Sequence, residues 1–294
     1  MKAYYPFIGH HHDIGGLKLH YLDEGKGDPV VMIHGNPTWS FYYRSLVEAL
    51  RGSYRVIVLD HIGCGLSDKP GRQTYPYTLS RRVDDLENLL ALCGAEKDLT
   101  LVVHDWGGMI GMTYAVRHPE AVKRFVVLNT SAFRLPAGRP FPWMLALIRN
   151  TPLGAFLVQG LNAFCLGALA FCAKEKKLSR EEKEAYLAPY DTWEHRIAVL
   201  RFVQDIPLRP GDDSYDTVVS TEEHLGLFRD HPMLILWGMG DFVFDGHFLE
   251  GWAQRFPKAL VHRFPGAGHY VLEDRGIEIA ALVKEFLAAN PLKR

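Results

Sequence analysis

Residues 102–108 read Val102-Val103-His104-Asp105-Trp106-Gly107-Gly108. Two apolar residues close a buried strand, a polar residue stands at its tip, and paired glycines open the following helix. That is the pattern of a nucleophile elbow, a tight strand-to-helix turn that lifts one side chain into a site. Serine is the usual occupant. Here the occupant is Asp105, followed by Trp106, and a carboxylate at this point selects a different set of reactions.

Outward from the elbow, strand and helix signals alternate. Leu17 to Asp23 alternates apolar and polar residues, as an edge strand does. Val30–Ile33, Val56–Leu59, Thr100–Val103 and Arg124–Leu128 are short apolar runs that predict buried strands. Leu79–Leu92 carries Val83, Leu86, Leu89 and Leu90 at helical spacing, and Met109–Arg117 follows as a second helix. Such units predict a mostly parallel sheet with helices on both faces.

The alternation then breaks. From Arg134 to Thr221 the chain shows helical segments and prolines but no strand signal. It resumes with a strand at Met233–Trp237, a helix at Gly246–Arg255, a strand at Leu260–Phe264 and a closing helix at Ile277–Ala288. We therefore divide the chain into a core (1–133), a helical cap (134–221) and a second core segment (222–294). The cap follows the strand Arg124–Leu128 and is expected over the carboxyl ends of the sheet, where such folds bind ligands. Within it, Gly154–Ala173 has no formal charge and nearly the length of a bilayer span. Gln159, Asn162 and several glycines interrupt it, so a pair of cap helices beside a greasy pocket or another subunit is the expectation.

Composition narrows the function classes. Hydrophobic residues make up 48% and charged residues 23%, which suits a soluble globular chain with a sizeable core. With 33 basic against 34 acidic residues there is no electrostatic footprint for nucleic acid. Cys64, Cys93, Cys165 and Cys172 lack C-x-x-C spacing, so reduced thiols in a cytoplasmic protein are expected. Cys64, between two glycines, is the one candidate for reactivity. The leader Met1–Pro6 lacks the apolar run of a signal peptide. His10-His11-His12 has no carboxylate or cysteine partner at ligand spacing and is read as a solvated triplet in that polar leader. No metal or organic cofactor is implied, and the Gly63–Gly65 loop lacks phosphate-binding spacing.

Three further segments fall in line with the elbow. His34-Gly35-Asn36-Pro37 follows the strand Val30–Ile33, where an oxyanion loop belongs. Trp237-Gly238-Met239-Gly240-Asp241 puts a carboxylate just past a strand, and Gly266-Ala267-Gly268-His269 puts a histidine after the last one. The chain order nucleophile, acid, histidine (Asp105, Asp241, His269) is that of the α/β-hydrolase fold. A carboxylate is ionised near neutral pH and needs no base before attacking a carbon that bears a leaving group. His269, oriented by Asp241, would then activate water against the resulting ester. Backbone N–H groups near Asn36 and Trp106 would hold the oxyanion. The indole and amide N–H groups of Trp106 and Asn36 are neutral donors suited to a departing halide or carboxylate.

These segments, with the loop Asp60–Pro70, resemble haloalkane dehalogenases over nearly the whole chain. One branch of that family places its acid after the sixth strand. Here that strand ends Leu128-Asn129-Thr130 without a carboxylate, so Asp241 takes the role and the pattern is similar to the third subfamily. That subfamily includes the β-lactone decarboxylases of bacterial olefin biosynthesis, which Asp60–Pro70, Leu187–Asp191 and Phe202–Gly211 resemble most. The resemblance implies a cis-β-lactone with two long alkyl chains, losing carbon dioxide to leave a cis-alkene. Dehalogenation is the alternative.

Other residues receive lesser roles. Phe141, Trp143, Phe164 and Phe171 are candidate walls of a substrate pocket or ordinary cap core. His104 is expected to pack away from the site, Asp245 is a rival to Asp241, and Asp60 fixes its own loop. An epoxide hydrolase shares the elbow and would need two cap tyrosines, from Tyr186, Tyr190 and Tyr215. A non-catalytic binding protein is the remaining rival. The expected partner is a hydrophobic small molecule, with a homo-oligomer or a pathway enzyme complex possible and membrane association not favoured.

Overall fold

The short strand β1 (Gly9–Asp13) contains the histidine triplet and pairs antiparallel with β2 (Lys18–Glu24). One reading is corrected here: β2 is the second strand of the sheet, with β1 at its edge. The histidine triplet is largely exposed, as expected, but lies on a strand that the sequence did not announce. A strand polar on both faces gives no periodic signal, which is why it was illegible. The computed structural model describes residues 4–292, so Met1–Ala3 of the leader and residues 293–294 lie outside the described residues.

The chain continues through β3 (Pro29–Ile33), α1 (Arg44–Leu50), β4 (Arg55–Leu59), α2 (Leu79–Leu92), β5 (Leu99–Asp105), α3 (Trp106–Arg117) and β6 (Val122–Thr130). After the insertion come β7 (Met233–Gly238), a helix at Gly246–Arg255, β8 (Leu260–Phe264) and a helix at Val271–Ala289. The eight strands order as β1-β2-β4-β3-β5-β6-β7-β8. From β4 to β8 every pairing is parallel. β2 meets β4 antiparallel.

Side-chain alternation on β3 explains the layers. Val31 and Ile33 pack with Leu86 and Leu89 of α2 and Ile110 of α3, while Val30 and Met32 pack with Leu46 and Val47 of α1 and with Val283 and Phe286. Each fully buried side chain of this kind contributes about 1.5–3 kcal/mol.

The insertion contains α4 (Trp143–Asn150), α5 (Pro152–Gln159), α6 (Ala163–Phe171), α7 (Arg180–Leu187), α8 (Ile197–Gln204) and α9 (Tyr215–His224), numbered ahead of α10 (Gly246–Arg255) and α11 (Val271–Ala289). The boundary drawn at 221 falls inside α9, whose Thr221 hydroxyl lies 2.9 Å from that of Thr113 on α3. The closing helix begins at Val271, six residues before the predicted start, with a kink at Arg275 that hides its first turns from periodicity. Among the described residues no single helix is long and apolar enough to cross a membrane, and α5 and α6 meet at 72°.

Candidate active site

β5 delivers Asp105 at φ +53°, ψ −126°, a conformation costly for a side-chain-bearing residue and characteristic of functional turns. The glycines after it follow from space. A Cβ at Gly107 would overlap the Ile33 carbonyl, and one at Gly108 the Thr130 hydroxyl. That hydroxyl donates to the Asp105 carbonyl and ties β6 to the elbow.

The Asp105 carboxylate divides its two oxygens. Oδ1 accepts the Asn36 backbone N–H at 2.6 Å, and Oδ2 lies 3.5 Å from His269 Nε2, an ion-pair distance long for a good hydrogen bond. Gly35 lies so close that a Cβ there would overlap this carboxylate. On the other side of the ring, His269 Nδ1 lies 2.8 Å from Asp241 Oδ2. Asp241 Oδ1 accepts the backbone N–H groups of Val243 at 2.7 Å and Phe244 at 3.1 Å. Asp105, Asp241 and His269 are each at most 7% exposed.

Burial alone would lower the pKa of His269, but the Asp241 charge and the adjoining Asp105 carboxylate outweigh it and raise it to about 10. Burial alone would raise Asp241, but the imidazolium and its hydrogen bonds hold it below the usual carboxylate value. The resting arrangement is thus a buried cation between two buried carboxylates.

His104 was expected to point away from the site, and it does so in a specific way. Its Nε2–H donates to the His269 carbonyl at 2.9 Å, and its ring stacks on Tyr42 at 4.4 Å. Burial and the nearby His269 charge push its pKa down to about 3, so it is neutral.

Above Asp105 lies a cavity of about 450 Å³ lined by Asn36, Trp106, Phe164, Phe244, Phe248 and His269 among others. Phe141, Trp143 and Phe171 also face it, although Trp143 and Phe171 are 74% and 66% exposed and therefore stand at its rim. The Asn36 side-chain Nδ2 donates to the Val199 carbonyl on α8 at 3.0 Å, which leaves one amide hydrogen uncommitted. The Trp106 ring packs 5.4 Å from Phe202.

The rival residues sit elsewhere. Asp245 caps α10 and pairs with Arg139 at 3.0 Å. Tyr186 donates to Glu273 and Tyr190 to the Thr38 carbonyl, and neither lines the cavity. Tyr215 lines a separate cleft. Cys64 is buried, and burial pushes its thiol up to about 11, against a reactive role. Asp60 does fix its loop, accepting from the Ser40 and Leu66 backbones and from His20.

Two features escaped sequence reasoning. Asn129 grips the Gly238 backbone with both ends of its amide and also donates to Asp241 Oδ2 at 3.0 Å. The missing carboxylate after β6 is thus replaced by a residue that positions the one after β7. Arg82 on α2 is 1% exposed, and its guanidinium finds no hydrogen-bond partner among the described residues and lies 3.7 Å over Phe202, behind Trp106. No local pattern marks either residue.

Residues 28–276 match a family described as having the alpha/beta hydrolase fold. The chain is 53% identical to a cis-3-alkyl-4-alkyloxetan-2-one decarboxylase of Shewanella oneidensis, covering 96% of this chain and 89% of that protein. It is 45% identical to a decarboxylase of the same name from Xanthomonas campestris, covering 94% of each. A haloalkane dehalogenase of Mycolicibacterium paratuberculosis is 32% identical over 94% of this chain and 91% of its own. Among solved structures, a single-substitution mutant of the haloalkane dehalogenase DatA from Agrobacterium tumefaciens superposes with a TM-score of 0.85 at 26% identity, covering 98% of this chain and 99% of that one.

Proposed function

The chain belongs to the haloalkane dehalogenase family of α/β-hydrolases, and from that premise we propose that it decarboxylates cis-β-lactones with Asp105 as nucleophile. What carries the reading is the far greater likeness to the two oxetan-2-one decarboxylases than to the dehalogenase, joined to a greasy cavity over a buried carboxylate.

In this mechanism Asp105 Oδ2 attacks ring carbon C4, because Oδ1 is engaged by the Asn36 N–H. The bond from C4 to the ring oxygen breaks, and its electron pair stays on that oxygen. The result is an alkyl ester on Asp105 and a free carboxylate on C3. The bond from C3 to that carboxylate then breaks, its electrons form the C3–C4 double bond, and the C4–Oδ2 bond returns its pair to Asp105. Carbon dioxide and an alkene leave, with no water and no proton consumed. Inversion at C4 followed by departure of the two groups from opposite faces converts a cis-lactone into a cis-alkene.

The other residues serve charge. The His269 imidazolium, held by Asp241, faces a negative charge that moves from Asp105 to the new carboxylate and back. Trp106 and the free amide hydrogen of Asn36 are donors to that departing carboxylate. The apolar cavity withholds water, which favours expulsion of carbon dioxide from an unsolvated anion.

Dehalogenation is the second reading, favoured by Trp106 and Asn36 lining the same cavity. It shares the first step but then needs water and a neutral imidazole. Alkylation of Asp105 removes one of the two carboxylates that keep His269 protonated, so the base would become available only after the ester has formed.

The test is product analysis of the purified protein with a long-chain cis-β-lactone and, in parallel, 1-bromobutane. A cis-alkene with carbon dioxide, abolished in Asp105→Ala, is expected. A β-hydroxy acid from the lactone, or bromide release without any alkene, would overturn the reading.

A further inference from the structure

The cavity over Asp105 is not closed, and a cis-β-lactone brings two alkyl arms to it. Two separate stretches of its wall lead outward, one to the exposed rim of the cap and one to a neighbouring cleft.

The first is the cap rim. Trp143 and Met144 on α4, with Phe164, Gly167 and Phe171 on α6, line the cavity, and Trp143, Met144 and Phe171 are among the most exposed apolar residues of the chain. The second is a wall shared with an outer cleft of about 990 Å³ between the 133–137 loop, α9 and α10. Phe133, Arg134, Leu135, Pro207 and Leu208 line the cavity and the cleft alike. Leu135 and Leu208 are half-buried and stand on connecting segments outside any helix or strand, whereas none of the cap-rim residues touches the cleft. The rim and the shared wall are therefore distinct stretches, and the shared wall is apolar except for Arg134, whose guanidinium is turned to Glu222 at 2.7 Å.

We propose that the two alkyl arms of the substrate part at the reaction centre, one running out along the α4–α6 rim and the other past Leu135 and Leu208 into the outer cleft. This rests on the decarboxylase reading. Separate paths keep the arms from sharing one channel and leave the ring, at their junction, over Asp105.

The experiment uses four cis-β-lactones: both arms short, both long, and the two regioisomers with one long arm, at C3 or at C4. The readout is the ratio of kcat/KM for the two regioisomers. Leu208→Trp narrows the inner wall while its backbone stays pinned to Asp212 at 2.9 Å. Gly167→Phe narrows the rim, and a Cβ there meets nothing within 4 Å. The ratio should shift about tenfold in opposite directions in the two variants, the discrimination a hydrophobic wall exerts over a methylene or two. Leu208→Ala should shift it opposite to Leu208→Trp, which covers a tryptophan variant that fails to fold. Shifts in the same direction at both sites, or no shift at either, would overturn the parting of the arms. If the unaltered protein gives alkene from none of the four lactones, the decarboxylase reading itself fails and takes this inference with it.

Discussion

His104 Nε2 lies 2.9 Å from the backbone carbonyl of His269, so the residue just before the elbow carries the loop that presents the imidazole to Asp105. β5 thereby sets the position of the imidazole that faces its own tip, although 165 residues separate His104 from His269 in the chain.

Replacing His104 with Phe keeps a ring against Tyr42 but leaves the His269 carbonyl without its donor. Stability should fall by about 1–3 kcal/mol. The kcat for the lactone should drop about tenfold with KM little changed, and His104→Gln should recover part of it. Denaturant unfolding and steady-state kinetics check this; an unaltered kcat would reduce His104 to packing.

Asn129→Ala removes three hydrogen bonds at once, two to Gly238 and one to Asp241. We expect a loss of about 2 kcal/mol or more in stability and a lower pKa at His269, because Asp241 is left free to move. Titration of the His269 ring by NMR reads the second effect directly, and a pKa equal to that of the unaltered protein would show that Asn129 does not position the acid.

The charge sandwich has a signed pH consequence. His269 binds its proton more tightly folded, near 10, than unfolded, near 6.5. Its contribution to stability is therefore complete below pH 6.5 and is lost as the pH rises through about 10. Asp105→Asn removes one of the two carboxylates and should move that loss to lower pH. Urea midpoints measured across this range should diverge between the two proteins; parallel curves would mean that Asp105 does not hold the imidazolium.

The same sign separates the two chemistries. Lactone turnover without proton transfer needs the cation and should fall as the pH approaches that of the free imidazole form. Hydrolysis of an alkyl ester from a haloalkane needs a base, so His269→Gln should halt that reaction after alkylation and leave added mass on Asp105. A His269→Gln variant that hydrolyses 1-bromobutane at the normal rate would remove the base from the mechanism.

How much of this was legible in the sequence depends on range. The elbow, the loop His34–Pro37 and the segments ending at Asp241 and His269 were readable because each is a strand followed by its own turn, a local pattern with few alternatives. The core strands were found, β8 with the ends observed and β3, β4 and β7 within one residue, but β6 was drawn two residues short at each end and β5 two short at its tip, because polar and small residues there carry no periodicity. The Asn36 amide bonds a carbonyl 163 residues away, and the Asn129 clamp and the stacking of Arg82 on Phe202 likewise join distant segments. Such contacts exist only once β6 lies beside β7 and the cap closes on α2. The route past Leu135 and Leu208 was invisible for the same reason, since irregular connecting segments leave no signal of what they face.

Rapid quench of a single turnover with a long-chain cis-β-lactone, followed by intact mass and peptide mapping, tests covalent attack most directly. A transient adduct with the full mass of the lactone, placed on Asp105 and resistant to hydroxylamine as an alkyl ester should be, is the predicted result. Alkene formation at an undiminished rate by Asp105→Asn, or an adduct on any other residue, would contradict it.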